Sequence, residues 1–149
     1  RQMCIRDRVM CQRLSDDLRR AGIRADCLHG DIKQATREKT MADFRHGKLP
    51  VLIATDVASR GIDVDDVDGV INYDVPEENE YYIHRIGRTG RARKKGISFT
   101  LLGSFPEKAK LDEIAKFAGF RIVPMIFDEY GCLVPAPAEE KHPTSRRRF

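Results

Sequence analysis

No apolar run in the sequence approaches the ~20 residues that a membrane-crossing helix requires. Its start does not read as a secretory signal. A membrane partner is therefore not expected. There is no Cys-x-x-Cys pair; Cys4, Cys11, Cys27 and Cys132 lie scattered along the chain. That spacing argues against a zinc site and against a disulfide framework in a chain of this size. Reduced thiols in a cytoplasmic protein are the expectation. No G-x-x-x-x-G-K-Ser/Thr stretch is present, so the phosphate-cradling loop and its lysine are lacking. No internal repeat is visible. Acidic residues are absent between Arg85 and Lys95, where six cations fall.

What is present suffices for one domain with a real core. The chain has 149 residues, 41% of them hydrophobic and 34% charged, with a net charge of +4. The cationic run, with Arg146-Arg147-Arg148 near the end, makes a polyanionic partner plausible. Apolar residues at Met10, Leu14, Leu18 and Ala21 predict a helix over Val9 to Ala21, ended by Gly22. Strands are predicted over Ile23 to Leu28, Val51 to Ala54, Val67 to Tyr73 and Ile97 to Leu102. A second helix runs to about Arg45, burying Ile32, Ala35, Met41 and Phe44. Asp31 would cap it, with Gln34 completing a capping-box-like pair. A third helix covers Glu77 to about Arg88. A fourth covers Lys108 to Ala118, with Leu111, Ile114, Ala115 and Ala118 inward. Ile122 to Ile126 reads as a short strand or a docking segment. Strands alternating with helices imply an α/β fold, a parallel sheet covered by helices on both faces.

Two stretches carry the chemistry. His84-Arg85-Ile86-Gly87-Arg88-Thr89-Gly90-Arg91 sets Arg88 and Arg91 one helical turn apart. Arginine presents a rigid, permanently charged fork to a phosphoryl group. A pair of them can clamp the charge that develops as a terminal phosphate is cut. Upstream, Ala54-Thr55-Asp56-Val57-Ala58-Ser59-Arg60-Gly61-Ile62-Asp63 follows a short apolar strand. A site at the carboxyl end of a sheet is the usual place for a ligand in open α/β folds. In this order, and with Leu28-His29-Gly30-Asp31 and Gln34-Ala35-Thr36-Arg37 before them, these stretches resemble the DEAD-box RNA helicase family. The two longer ones resemble its motifs V and VI. The resemblance runs from about Val9 to Leu102 and is to the C-terminal RecA-like domain only.

The resemblance implies roles residue by residue. Arg88 and Arg91 match arginine fingers, and His84 matches a contact to the partner domain's Asp-Glu-Ala-Asp box. Asp63 matches the carboxylate that binds the nucleotide ribose. Gly61 would serve close backbone approach, and Arg60 would couple nucleotide to RNA. Thr55 with Asp56, Gly30, Gln34 and Arg37 match an RNA-backbone path, which predicts little sequence preference. The implied cofactors are ATP and Mg2+, the metal held mainly by an N-terminal RecA-like domain whose P-loop and Asp-Glu-Ala-Asp do not occur in this chain. A monomer is expected. Two alternatives stand beside this reading: a non-catalytic RNA-binding module, and a fragment of a related superfamily 2 DNA helicase. The resemblance weighs against the second, because DNA-directed members usually carry Gln where this chain has His84.

Both ends depart from the domain. Arg1 to Arg8 are too polar for a central buried strand and read as a junction segment that replaces one. Residues 9-127 read as the RecA-like domain. Residues 128-149 read as an extension, with a disordered basic tail from about Pro135.

Overall fold

The computed structural model describes residues 2–5, 7–59, 64, 67–90 and 96–137. Five parallel strands form one sheet. They are β1 (Gln2–Ile5), β2 (Ala25–Leu28), β3 (Val51–Thr55), β4 (Gly69–Asn72) and β5 (Ile97–Thr100), in the order β2-β3-β1-β4-β5. Helices α1 (Arg8–Arg20), α2 (Gln34–Arg45), α3 (Asp56–Ser59), α4 (Asn79–Ile86) and α5 (Phe105–Ala118) connect and cover them. Strands β6 (Met125–Phe127) and β7 (Leu133–Pro135) form a separate antiparallel hairpin.

Successive residues of a strand face opposite sides of a sheet, and the core divides accordingly. On one face Ile5, Ala25, Cys27 and Ile53 pack under α1, against Cys11, Met10, Leu14 and Leu18. On the other face Leu28, Leu52, Ala54 and Val70 pack against Met41 and Phe44 of α2 and Ala58 of α3. A third cluster joins α4 to α5 through Val75, Tyr82, Leu111 and Ile114, and Tyr82 stacks on Phe120 with centroids 5.8 Å apart. Each fully buried Leu or Ile contributes roughly 2 kcal/mol. Side chains at Ala21, Ala35 and Ala118, expected inward, are exposed. Their places at the interface fall to Cys11, Ser15 and Thr40.

The start of the chain corrects the sequence reading. Gln2–Ile5 is the central strand, with Ile5 opposite Thr55 on one side and Cys4 opposite Asn72 on the other. The polar reading averaged eight residues; among those described, the four from Gln2 to Ile5 enter the sheet. Asp7 lies beyond the strand and caps α1, its carboxylate accepting from Val9 N–H at 2.7 Å. Arg8 pairs with Asp31 at 2.8 Å on the surface. Asp31 does not cap α2, because the helix begins at Gln34 and its cap position falls two residues beyond Asp31. Lys33 occupies that position without a side-chain bond, and Gln34 instead donates to Glu38 at 2.9 Å.

The outer edge of β2 is occupied by the domain's own side chains. Arg19 Nε donates to the Ala25 carbonyl at 2.8 Å, and the Asp26 carboxylate accepts from Cys27 N–H at 2.9 Å. At the opposite edge β5 is exposed along Ile97 to Phe99. Ile122 to Ile126 does not form one strand. The hairpin begins at Met125, and Asp128 holds its turn by accepting from Tyr130 and Cys132 N–H. Most of the tail, residues 138–149, lies outside the described residues.

Candidate nucleotide and nucleic-acid interface

Because β1, β2, β3 and β4 are parallel and in register, their carboxyl ends meet at one edge of the domain. Ile5 lies opposite Thr55, Leu28 opposite Ala54, and Cys4 opposite Asn72. His29-Gly30, Asp7, Asp56 and Tyr73-Asp74 therefore emerge side by side. The path from β1 runs outward to β2, while the path from β3 crosses β1 to reach β4. The crevice where connections diverge in this way is where open α/β sheets take ligands.

One side chain ties this edge together. Arg85 of α4 is 3% exposed. Its Nε and Nη2 grip the Asp56 carboxylate at 2.6 and 2.7 Å. Nη1 donates to the Asp74 carbonyl at 2.9 Å, and Nη2 also reaches the Asp74 carboxylate at 3.1 Å. A fork matched to both oxygens of a carboxylate is the strongest form of this pairing. Burial makes each partner depend on the other. A second tie lies one turn on. Val67 N–H donates to the Arg88 carbonyl at 3.2 Å, and Thr89 Oγ1 donates to the Val67 carbonyl at 2.6 Å. The segment leaving β3 and the end of α4 are thus joined at both margins.

The glycines at this turn have physical work. Gly90 sits at φ +73°, in the left-handed region. A Cβ at Gly96 would lie 2.4 Å from Gly90 N and 2.7 Å from Thr89 Oγ1, so only glycine admits this close approach.

The residues expected to meet RNA divide into two groups. Thr55 is 6% exposed, and its Oγ1 accepts from Ala58 N–H at 3.4 Å, holding the first turn of α3. Arg37 crosses from α2 to donate to the Ala58 carbonyl at 2.8 Å. Asp56 spends its carboxylate on Arg85, which leaves its backbone rather than its side chain for an RNA contact. Gly30 and Gln34 are exposed, and a side chain at Gly30 would meet no atom within 4 Å. Nothing in the fold itself requires glycine there. His84 faces out and Arg88 is half-buried at the end of α4. Arg60, Gly61, Asp63 and Arg91 lie outside the described residues. Among the described residues no cluster of three His, Cys, Asp or Glu could hold a metal ion.

Arg85 and Asp74 were not singled out from the sequence. The signal was present: Tyr82, Arg85 and Ile86 share one stripe of α4, and a cation on an apolar stripe demands a buried partner. Two acids, each one or two residues past a strand end, were available to supply it.

Comparison with known proteins agrees with this geometry. The family described as the helicase conserved C-terminal domain matches residues 3–93. The probable ATP-dependent RNA helicase DDX17 of Mus musculus is 46% identical over 118 residues, 78% of this chain and 18% of that protein. The ATP-dependent RNA helicase FAL1 of Saccharomyces cerevisiae is 50% identical over 112 residues, 75% of this chain and 28% of that protein. The chain thus spans well under a third of these curated relatives. The crystal structure of the E. coli DEAD-box protein SrmB, solved with RraA, superposes with a TM-score of 0.80 at 36% identity, covering 93% of this chain and 81% of that one. A RecA-like sheet, motifs V and VI joined at one edge, and these likenesses together place the chain in the DEAD-box RNA helicase family, as a helicase conserved C-terminal domain.

Proposed function

We propose that this domain supplies one wall of a composite site in an ATP-dependent RNA helicase that unwinds short duplexes. Arg88 and Arg91 act as arginine fingers on the terminal phosphate of ATP. Asp63 accepts from the ribose, Gly61 lets the backbone approach, and Arg60 couples nucleotide to RNA. Gly30, Gln34, Arg37, Thr55 and the Asp56 backbone follow the RNA phosphates. His84 reaches the partner domain. ATP and RNA bind across the cleft and draw the two domains together, which bends one strand of the duplex. Loss of the terminal phosphate reopens the cleft. Mg2+ belongs to the other domain, and no step here runs through it. Cysteines reduced in the cytoplasm and a monomeric state complete the proposal.

The observation that carries this reading is the Arg85 fork. It fixes the end of β3 to α4, so that the Thr55 segment and Arg88 are offered from one edge. The contacts on offer are to phosphate and sugar, which carry no sequence information.

Half of a phosphoryl-transfer site should not turn over alone. The isolated chain is expected to bind nucleotide weakly and to hydrolyse none. Joined to a DEAD-box N-terminal domain, it should show RNA-stimulated ATP hydrolysis. Arg88→Ala should then lower the rate at least ~100-fold. A folded fusion in which Arg88→Ala hydrolyses ATP at the parent rate would overturn the finger assignment.

A further inference from the structure

Gly96, the residue before β5, has a demand on it that neither burial nor conformation explains. It is exposed. Its backbone lies outside the left-handed region that Gly90 occupies, so an ordinary residue could adopt its angles. Space is what forbids one. A Cβ at Gly96 would stand 2.8 Å from Gly90 Cα, closer still to Gly90 N, and 2.7 Å from Thr89 Oγ1. At Gly69, Gly87 and Gly103 the same atom would meet nothing nearer than 3.1 Å.

The atoms that Gly96 faces belong to the turn that follows Arg88, and that turn is held from a second side. Thr89 Oγ1 donates to the Val67 carbonyl at 2.6 Å, and Val67 N–H donates to the Arg88 carbonyl at 3.2 Å. Thr89 therefore has no free rotation by which to give way. The two supports share one rung of the sheet. Gly69, two residues after Val67, lies opposite Ile97, the residue after Gly96. Arg88-Thr89-Gly90 is thus seated against the entry to β4 on one side and the entry to β5 on the other.

We propose that Gly96 is a positioning residue for Arg88. By lacking a side chain it lets the turn sit down on β4 and β5, and the depth of that seat sets where the arginine stands. It touches neither nucleotide nor RNA and acts through the backbone of Gly90. The inference rests on the reading of Arg88 as an arginine finger. A side chain at Gly96 pushes the turn off its seat. Ordinary contact with a Cβ begins at 3.4 Å. Gly90 must therefore retreat by about 1 Å, a displacement that costs on the order of 100-fold in rate when it falls on a catalytic group. A finger meets charge that develops in the transition state, so the loss belongs to kcat and not to KM for ATP.

The test has two arms. In the chain itself, Gly96→Ala should keep the parent's circular dichroism but loosen the Val67–Arg88 bond, so that the Val67 amide exchanges on the order of tenfold faster by NMR while the amides of β3 do not change. In the chain joined to a DEAD-box N-terminal domain, kcat should fall about 100-fold with KM for ATP unchanged. Gly103→Ala, where the nearest atom is 3.5 Å away, should match the parent in both arms. Thr89→Val keeps the side-chain shape and drops the bond to Val67; it should loosen the same amide and lower kcat by a smaller factor. A Val67 amide that exchanges at the parent rate in Gly96→Ala overturns the proposal. Parent-rate hydrolysis by Gly96→Ala beside a slow Arg88→Ala overturns it alone. Parent-rate hydrolysis by Arg88→Ala overturns the finger reading and this proposal with it.

Discussion

Removing Arg85 should unfold the candidate site before it disturbs the rest of the sheet. Arg85→Ala deletes four hydrogen bonds and takes the counterion from the Asp56 carboxylate. Breaking a buried ion pair from one side costs about 3–5 kcal/mol, because the remaining charge loses its counterion without regaining water. Here the Asp56 and Asp74 side chains keep 17% and 24% exposure, which lets some water in and favours the lower end. A loss of about 3 kcal/mol corresponds to a fall in melting temperature on the order of 10 °C for a domain of this length. The geometry also ranks milder changes. Asp56→Asn weakens the two shortest contacts, whereas Asp74→Asn touches one at 3.1 Å and leaves the backbone acceptor in place. Arg85→Lys keeps the charge but cannot match both oxygens of Asp56. The order of damage should be Arg85→Ala, then Arg85→Lys and Asp56→Asn, then Asp74→Asn. Urea denaturation followed by circular dichroism, with unchanged slope as the check on two-state behaviour, measures it. An Arg85→Ala loss below about 1 kcal/mol, the level of an exposed pair, would refute the argument, as would Asp74→Asn proving worse than Asp56→Asn.

Three further expectations are simpler. Ser104 accepts from Glu107 N–H, and the Glu107 carboxylate accepts from Gly103 N–H and the Ser104 hydroxyl; Ser104→Ala should cost about 1 kcal/mol in thermal unfolding. Arg19→Ala removes the shorter of two hydrogen bonds to the Ala25 carbonyl at the edge of β2, leaving only the 3.5 Å one from Ser15 Oγ, and should produce concentration-dependent self-association in sedimentation velocity; a monomer at every concentration would remove that role. Hydrogen bonds from Lys110 and then Asn79 hold Glu113 below the usual carboxylate range. A depressed folded value means stability present above the unfolded value and lost as pH falls. The small difference between the parent and Lys110→Ala should therefore be seen near neutrality and vanish as pH drops below about 4.

Much of this architecture could be read from residue order, for reasons visible in particular segments. Val51–Thr55 is an interior strand of the sheet, and a continuous apolar run is what a strand buried on both faces needs. The stripe of α1 was legible because Met10, Leu14 and Leu18 recur at helical spacing, although the buried surface also takes in Cys11 and Ser15. Gln2–Ile5 was misjudged because a strand of four residues is shorter than the window over which polarity was weighed. The Asp31 cap failed because α2 starts at Gln34, which puts Lys33 at the cap position. The Arg85 fork could not be read from residue order, since its two acids come from separate strand ends that only the folded topology brings together.

The position of β1 has a consequence for how the molecule is built. Its neighbours, β3 and β4, begin about fifty and nearly seventy residues later in the chain. Among the described strands, the central one thus depends on two neighbours that both lie far along the chain. Until it docks, β2–β3 and β4–β5 are two separate ribbons sharing no backbone hydrogen bond, each with an open inner edge. Closing such long loops before any pairing compensates is slow, and open strand edges invite pairing with other chains in the meantime. Folding rate and aggregation during refolding should therefore answer to changes in these four residues far more than their number suggests.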